Sequence, residues 1–181
     1  MDILSIIINS FIIILPAYIA NASPCLFGNG APVDGGRYFY DGRRIIGNGV
    51  TWRGTFFGLF CGTISGILEI IILNHISNLN LLNINFNYTI IEWTIVSFLM
   101  SLGALFGDAF GSFLKRRIGL PQGSAAPILD QLGFIVFALL FAYPLLNLNY
   151  VILIFLMVIT PIVHLFSNIF AYKLGFKKVW W

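Results

Sequence analysis

Gly107-Asp108-Ala109-Phe110-Gly111-Ser112-Phe113-Leu114-Lys115-Arg116-Arg117, continuing through Ile118-Gly119-Leu120-Pro121-Gln122-Gly123-Ser124-Ala125-Ala126-Pro127-Ile128-Leu129-Asp130-Gln131, joins two apolar segments that are each long enough to cross a bilayer. An ionised carboxylate at Asp108, about two turns inside the end of such a segment, costs roughly 2.5–3.5 kcal/mol on insertion scales unless a partner or ligand offsets it. A bare lipid-facing wall has no reason to keep it. Read as one helix from about residue 91 to 117, the segment puts Ser97, Ser101, Ala104, Asp108, Gly111, Ser112 and Lys115 at three- and four-residue steps on one stripe, small and polar where the neighbours are Phe, Leu and Ile.

The rest of the chain extends that reading. Of its 181 residues 59% are hydrophobic and 9% charged, with a mean hydropathy of +0.92, against about 25% charged in soluble domains. The class is therefore an all-α membrane protein, and the length corresponds to one domain. Five apolar runs approach the ~20 residues that cross ~30 Å of hydrocarbon: about 3–20, 54–74, 91–114, 128–146 and 150–172. These predict a polytopic bundle of five transmembrane helices with two functional loops. Residues 3–20 lack a basic n-region and a plain cleavage site, so the run reads as a retained span.

The charges orient the bundle. Arg37, Arg43, Arg44 and Arg53 lie between spans one and two; Lys115, Arg116 and Arg117 between three and four; Lys173, Lys177 and Lys178 after five. The other two loops carry no Lys or Arg, which fits the positive-inside rule with the N-terminus outside, the C-terminus cytoplasmic and both basic loops cytoplasmic in the cell membrane. The partners this suggests are the bilayer and phosphate groups, not nucleic acid. Cys25 and Cys61 are far apart and without a Cys-X-X-Cys pattern, so neither a metal site nor a disulfide framework is expected.

Pro16 is expected to kink the first span or begin its exit. The loop from Asn21 to Arg53 is long for a connection, and its Asp34-Gly35-Gly36-Arg37, Asp41-Gly42-Arg43-Arg44 and Thr51-Trp52-Arg53-Gly54 elements predict order. Glycines let backbone approach a ligand and arginines take phosphate oxygens bidentately, although a basic loop can also simply hold lipid headgroups. Gly54, Gly58, Gly62 and Gly66 form a groove at four-residue spacing, for helix packing or for a lipid chain. Glu69, sixteen residues past Arg53, falls near the outer face, and Glu92 at the outer start of span three. Residues 78–87 suggest an extended segment or hairpin, and Asn87-Tyr88-Thr89 is formally a glycosylation sequon. His75 and His164 read as structural; span five reads as bundle wall and its Lys-Lys-Val-Trp-Trp end as an interface anchor. Asp130, opening span four, approaches the same end as Asp108, and helices packed 8–10 Å apart let two inward carboxylates share a divalent ion.

Gly107-Asp108-X-X-Gly111-Ser112-X-X-Lys115-Arg116 with Pro127-X-X-Asp130-Gln131 resembles the signature of the membrane CDP-diglyceride synthases. Pro16-Ala17-Tyr18-Ile19-Ala20-Asn21, Asp41-Gly42-Arg43-Arg44 and Thr51-Trp52-Arg53-Gly54 bring nearly the whole chain closer to their archaeal branch, the CDP-archaeol synthases. Val50 stands where that branch usually has Lys and Gly133 where Asp often follows Asp-Gln-Leu, and the bacterial Lys-Asp and His-Gly-Gly elements are absent. The resemblance implies cytidylyl transfer from CTP to an anionic ether-lipid phosphate, unsaturated archaetidic acid, with Mg²⁺. It suggests Asp108 and Asp130 as metal ligands and Lys115, Arg116, Arg43, Arg44 and Arg53 around the triphosphate. Asp34 and Asp41 are further ligands or base readers, and Asn21, Ser23 and Ser112 polar contacts. A small transporter would instead carry polar residues through the full membrane depth, and a structural subunit would not need the Asp-Gly-Arg-Arg loop.

Overall fold

In a computed structural model, describing residues 3–78, 87–146, 148–177 and 179–180, the third of the five long helices is the axis of the bundle. It begins at a capping box: the Thr89 hydroxyl accepts from the Glu92 amide, and the Glu92 carboxylate accepts from the Thr89 amide at 2.8 Å. This helix, α3, runs Ile90–Arg117, about 42 Å at 1.5 Å per residue. Of the expected stripe, Ser97, Ser101, Ala104 and Gly111 are buried, with Gly103 and Gly107 beside them, whereas Asp108 is exposed and Ser112 and Lys115 are half-buried toward the basic end.

Around it stand α1 (Ile3–Phe27), α2 (Trp52–Asn78), α4 (Pro127–Ala142, followed by a 3₁₀ turn Tyr143–Leu145) and α5 (Tyr150–Lys173). All five spans are long and apolar enough to cross a membrane. Large apolar side chains on the perimeter, among them Phe56, Phe60, Leu68, Val158 and Phe166, are more than half exposed, a surface suited to acyl chains and not to water. The core is Ile14, Ala17, Trp93, Val96, Met100, Ile135, Ala138 and Leu156 with their neighbours.

Close approach depends on glycine. A Cβ at Gly62 would collide with Ser101 Oγ and come to 2.8 Å of the Pro16 carbonyl, and one at Gly66 would collide with Ser97. The groove on α2 is thus filled by α1 and α3, which excludes an acyl chain. Gly103 and Gly107 do the same for α3 against the α4 backbone at Phe137 and Gly133. Glu69 is buried and accepts from Trp93 Nε1 at 3.2 Å, tying α2 to α3 away from the basic end.

One expectation changes. The first helix does not exit at Pro16 or Ala20; it continues through both Pro16 and Pro24 to Phe27, so Asn21 and Ser23 belong to helix and not to loop. A proline removes one backbone donor, but buried Pro16 is held between neighbours that keep the helix going. Thr89 of the sequon is the α3 N-cap. Residues 79–86 of the expected hairpin, and Lys178 and Trp181 of the terminal anchor, lie outside the described residues.

Candidate active site

The loop after α1 is built on one carboxylate. Asp34 Oδ1 accepts from the Gly36 amide and Arg44 Nη2 (2.6 Å), and Oδ2 from Arg44 Nε and the Ile46 and Gly47 amides (3.0 and 2.8 Å). Its side chain has no exposed surface. Burial pushes this acid up, but Arg44 and the amides of Gly47, Ile46 and Gly36 together hold it well below the usual carboxylate range. Gly35, Gly36, Gly42 and Gly47 supply the positive φ that wraps the chain around it. Short antiparallel pairings, Val33 amide to Val50 carbonyl and Phe39 amide to Arg43 carbonyl, close the turn. The loop is ordered, as its composition suggests. Asp34, however, is saturated by five donors and shielded, so it frames the loop and does not face a ligand.

The loop docks on the end of α3. Arg43 Nη1 donates to the carbonyls of Arg116 (3.3 Å) and Arg117 (2.7 Å), taking up helix-terminal acceptors. Arg117 donates to Asp41 at 2.7 Å and to the Arg44 carbonyl, with its guanidinium between the rings of Phe39 and Phe113 at 4.6 and 4.9 Å. Asp41 is therefore a docking group. Arg117 is the docking residue that sequence reasoning missed; its only signal was its place in the Lys-Arg-Arg run.

Two cavities flank this junction. The smaller, about 330 Å³, is lined by Arg43, Arg44, Arg116, Gly47, Gly119 and Gln122, among others. Arg116 is 8% exposed and its Nε has no hydrogen-bond partner among the described residues. The larger, about 610 Å³, includes Asn21 from α1, Asp108 from α3, His164 and Asn168 from α5, and Lys177 beyond α5. Gly47 lines one cavity and Gly49 the other, with the Asn48 amide between them donating to Gln122 at 3.4 Å. The 47–49 strand is thus a thin wall.

Among the described residues Asp108 makes no hydrogen bond or ion pair; its carboxylate opens into the larger cavity. Asp130 lies within electrostatic reach of it but is engaged, accepting from Lys115 Nζ at 2.6 Å and from the Ala126 amide at 3.0 Å. The two acids do meet at one end of the bundle. Expected as equivalent ligands, they differ: one is open and one is paired. No cluster of three metal-binding side chains occurs among the described residues, yet an open carboxylate with a second beside it fits Mg²⁺, which takes one or two carboxylates and completes its octahedron with phosphate and water.

Arg53 is exposed over the Phe57 ring at 5.8 Å and lines neither cavity; Ser112 lines neither; Ser23 is buried and donates to its own helix at the Ile19 carbonyl. The residues that sequence reasoning missed are on and after α5. Leu174 caps the helix, Gly175 (φ +80) turns it, and the Phe176 amide returns to the Ala171 carbonyl while the Gly175 amide returns to Tyr172, a Schellman motif. The turn brings Lys177 back so that Nζ donates to Asn168 Oδ1 at 2.9 Å, and Asn168 Nδ2 lies 3.3 Å from His164 Nδ1. Burial pulls the Lys177 ammonium below its ordinary value, against the charges of Cys25, Asp130 and Asp108, which raise it. The available signal was His164, Ser167 and Asn168 at i, i+3 and i+4 on one face of an otherwise apolar helix.

This arrangement has relatives. A family model described as CarS-like, CDP-archaeol synthase, matches residues 3–181. The chain is 66% identical over 182 residues to the CDP-archaeol synthase of Methanococcus aeolicus, covering 100% of both chains. It is 50% identical over 169 residues to that of Methanocaldococcus jannaschii, covering 93% of each. A solved structure, described as an intramembrane enzyme for archaeal membrane lipids biosynthesis, matches with a TM-score of 0.75 and 35% identity over 90% of this chain and 94% of that one. Matched over nearly its whole length by the family model and by these relatives, the chain belongs to the CDP-archaeol synthases, the membrane cytidylyltransferases of archaeal lipid synthesis.

Proposed function

We propose that this chain transfers CMP from CTP to unsaturated archaetidic acid, giving the CDP-activated ether lipid and pyrophosphate, at a site on the cytoplasmic side of the membrane. All ten Lys and Arg fall in the segments between spans one and two, between three and four, and after five, which supports a cytoplasmic C-terminus and an N-terminus outside. An oxygen of the acceptor's phosphate attacks the α-phosphorus of CTP; the new P–O bond forms as the bond to the oxygen bridging toward the β-phosphorus breaks, and pyrophosphate leaves in line. The attacking monoester is already ionised at neutral pH, so no general base is required. The protein's work is to bring two polyanions together and hold them in line.

Each group then has a role on this reading. Asp108 and Asp130 would hold Mg²⁺, and the bound ion would neutralise phosphate charge. Lys115 orients Asp130 through their 2.6 Å pair, which is 13% and 28% exposed on the two sides. Arg43, Arg44 and Arg116 set a positive field around the triphosphate and the departing pyrophosphate, with Arg116 offering its unpartnered Nε. Asn21 lines the larger cavity as a polar contact.

The observation that carries the reading is the open carboxylate of Asp108 about two turns within a membrane span. Asp108→Asn, assayed in proteoliposomes with labelled CTP and a panel of lipid phosphates, should lose CMP incorporation by at least about 100-fold while still inserting. Wild-type turnover in that variant would remove Asp108 from the site, and solute flux in place of CMP-lipid would replace the enzyme with a transporter.

A further inference from the structure

The larger cavity has a mixed lining: Ile19, Leu26, Phe134, Val163 and Phe176 are apolar, and Asp108, His164, Asn168 and Lys177 are polar. Among the described residues Lys177 is the one Lys or Arg on its lining, where the smaller cavity has three guanidinium groups. Charge therefore separates the two substrates. A nucleoside triphosphate carries about four negative charges and matches the arginines, whereas a phosphate monoester carries about 1.5 to 2 at neutral pH, suiting one ammonium beside one metal-bearing carboxylate. The volume of about 610 Å³ also falls in the usual range for small-molecule sites, with room for a phosphate and the glycerol end of a lipid.

The polar groups are internally aligned. Lys177 donates only, so its bond fixes the Asn168 oxygen toward it and turns the amide nitrogen to His164 Nδ1. Nδ1 is then the acceptor, and the ring proton sits on Nε2 as a further donor. Resting on the reaction proposed above, we propose that Lys177, set by Asn168 and His164, is the binding residue for the phosphate of the acceptor lipid. The Gly175 turn that ends α5 is the device that delivers it.

Cys25 gives a probe beside this site. It lines the same cavity, is exposed, and its Sγ lies 3.7 Å from the Phe176 carbonyl. With Cys61→Ser leaving Cys25 as the lone thiol, its maleimide labelling rate is measured with a short-chain dialkylglycerol phosphate, with the matching dialkylglycerol alcohol, and with CTP. The phosphate should slow labelling at least fivefold, with little effect from the alcohol or from CTP. In Lys177→Met that protection should vanish and the acceptor KM rise at least tenfold with the CTP KM within twofold, and Lys177→Arg should recover most of both. The unchanged CTP KM shows that the variant is folded. Equal protection by the alcohol, protection by CTP in place of the lipid phosphate, or full protection in Lys177→Met would overturn the assignment. Phosphate-dependent protection in a wild-type protein that forms no CMP-lipid would instead overturn the proposed reaction and leave the anion site in place.

Discussion

The two cavities at the basic end differ in what their charged groups are already doing. In the smaller one, Arg43 takes helix-terminal carbonyls and Arg44 holds Asp34, whereas the buried Arg116 Nε has no hydrogen-bond partner among the described residues. In the larger one, Asp108 has no partner among the described residues. Sequence reasoning singled out Asp108 and Asp130 as metal ligands but kept Asp34 and Asp41 as further ligands or base readers and Arg43, Arg44, Arg53 and Arg116 as phosphate contacts. The comparison separates Asp34, Asp41 and Arg117, which are engaged within the protein, from the Asp108 carboxylate and the Arg116 Nε, which have no partner among the described residues.

The sharpest way to break this contrast is to exchange the acids. Asp108→Asn should cost at least about 100-fold in CMP transfer with the loop intact. Asp34→Asn should leave the carboxylate cavity alone and release the loop by about 3 kcal/mol, the scale for unpairing a buried charge, seen as faster hydrogen exchange over residues 28–51. Because folding depresses the Asp34 carboxyl, its contribution is present above its unfolded pKa of about 3.9 and is lost as pH falls through the lower folded value. Exchange protection of the loop should therefore be flat from neutral pH down to about 4 and fall only below it. If Asp34→Asn abolished transfer with unchanged loop protection, the division between frame and site would be wrong.

Smaller effects sharpen the comparison. Arg116→Met should raise the CTP KM by about tenfold or more, since a hydrogen bond to a charged group is worth roughly 1.5–3 kcal/mol, and leave the acceptor KM near its wild-type value. Gly175→Ala places a Cβ at φ +80 at a cost of about 1 kcal/mol. It should raise the acceptor KM a few-fold, less than Lys177→Met, without touching CTP. A CTP effect from Gly175→Ala would join the two cavities into one.

Much of this was legible in the chain. Length and hydropathy gave five spans, the small stripe gave the inner face of α3, and four-residue glycine spacing gave the α1, α2 and α3 seam. Asp108 stood out because an acid in an apolar span needs a reason. What was not legible depends on partners distant in sequence. Asp34 reads as a further ligand or base reader until Arg44 and three amides converge on it. The end of α1 was placed seven residues early because proline was given its usual breaking role, and tertiary packing overrode it. Lys177 read as an anchor because a terminal lysine after a span usually is one; only the Gly175 reversal turns it inward.

The seam along α2 has one more consequence. Where Gly58, Gly62 and Gly66 meet the backbone of α1 and the serines of α3, few rotamers are immobilised, so warming regains little disorder by parting those helices. Helix α5 has no such seam and buries only Ile152, Leu156 and Thr160. Rising temperature should thus loosen the wall that carries His164, Asn168 and Lys177 while the wall that carries Asp108 stays set.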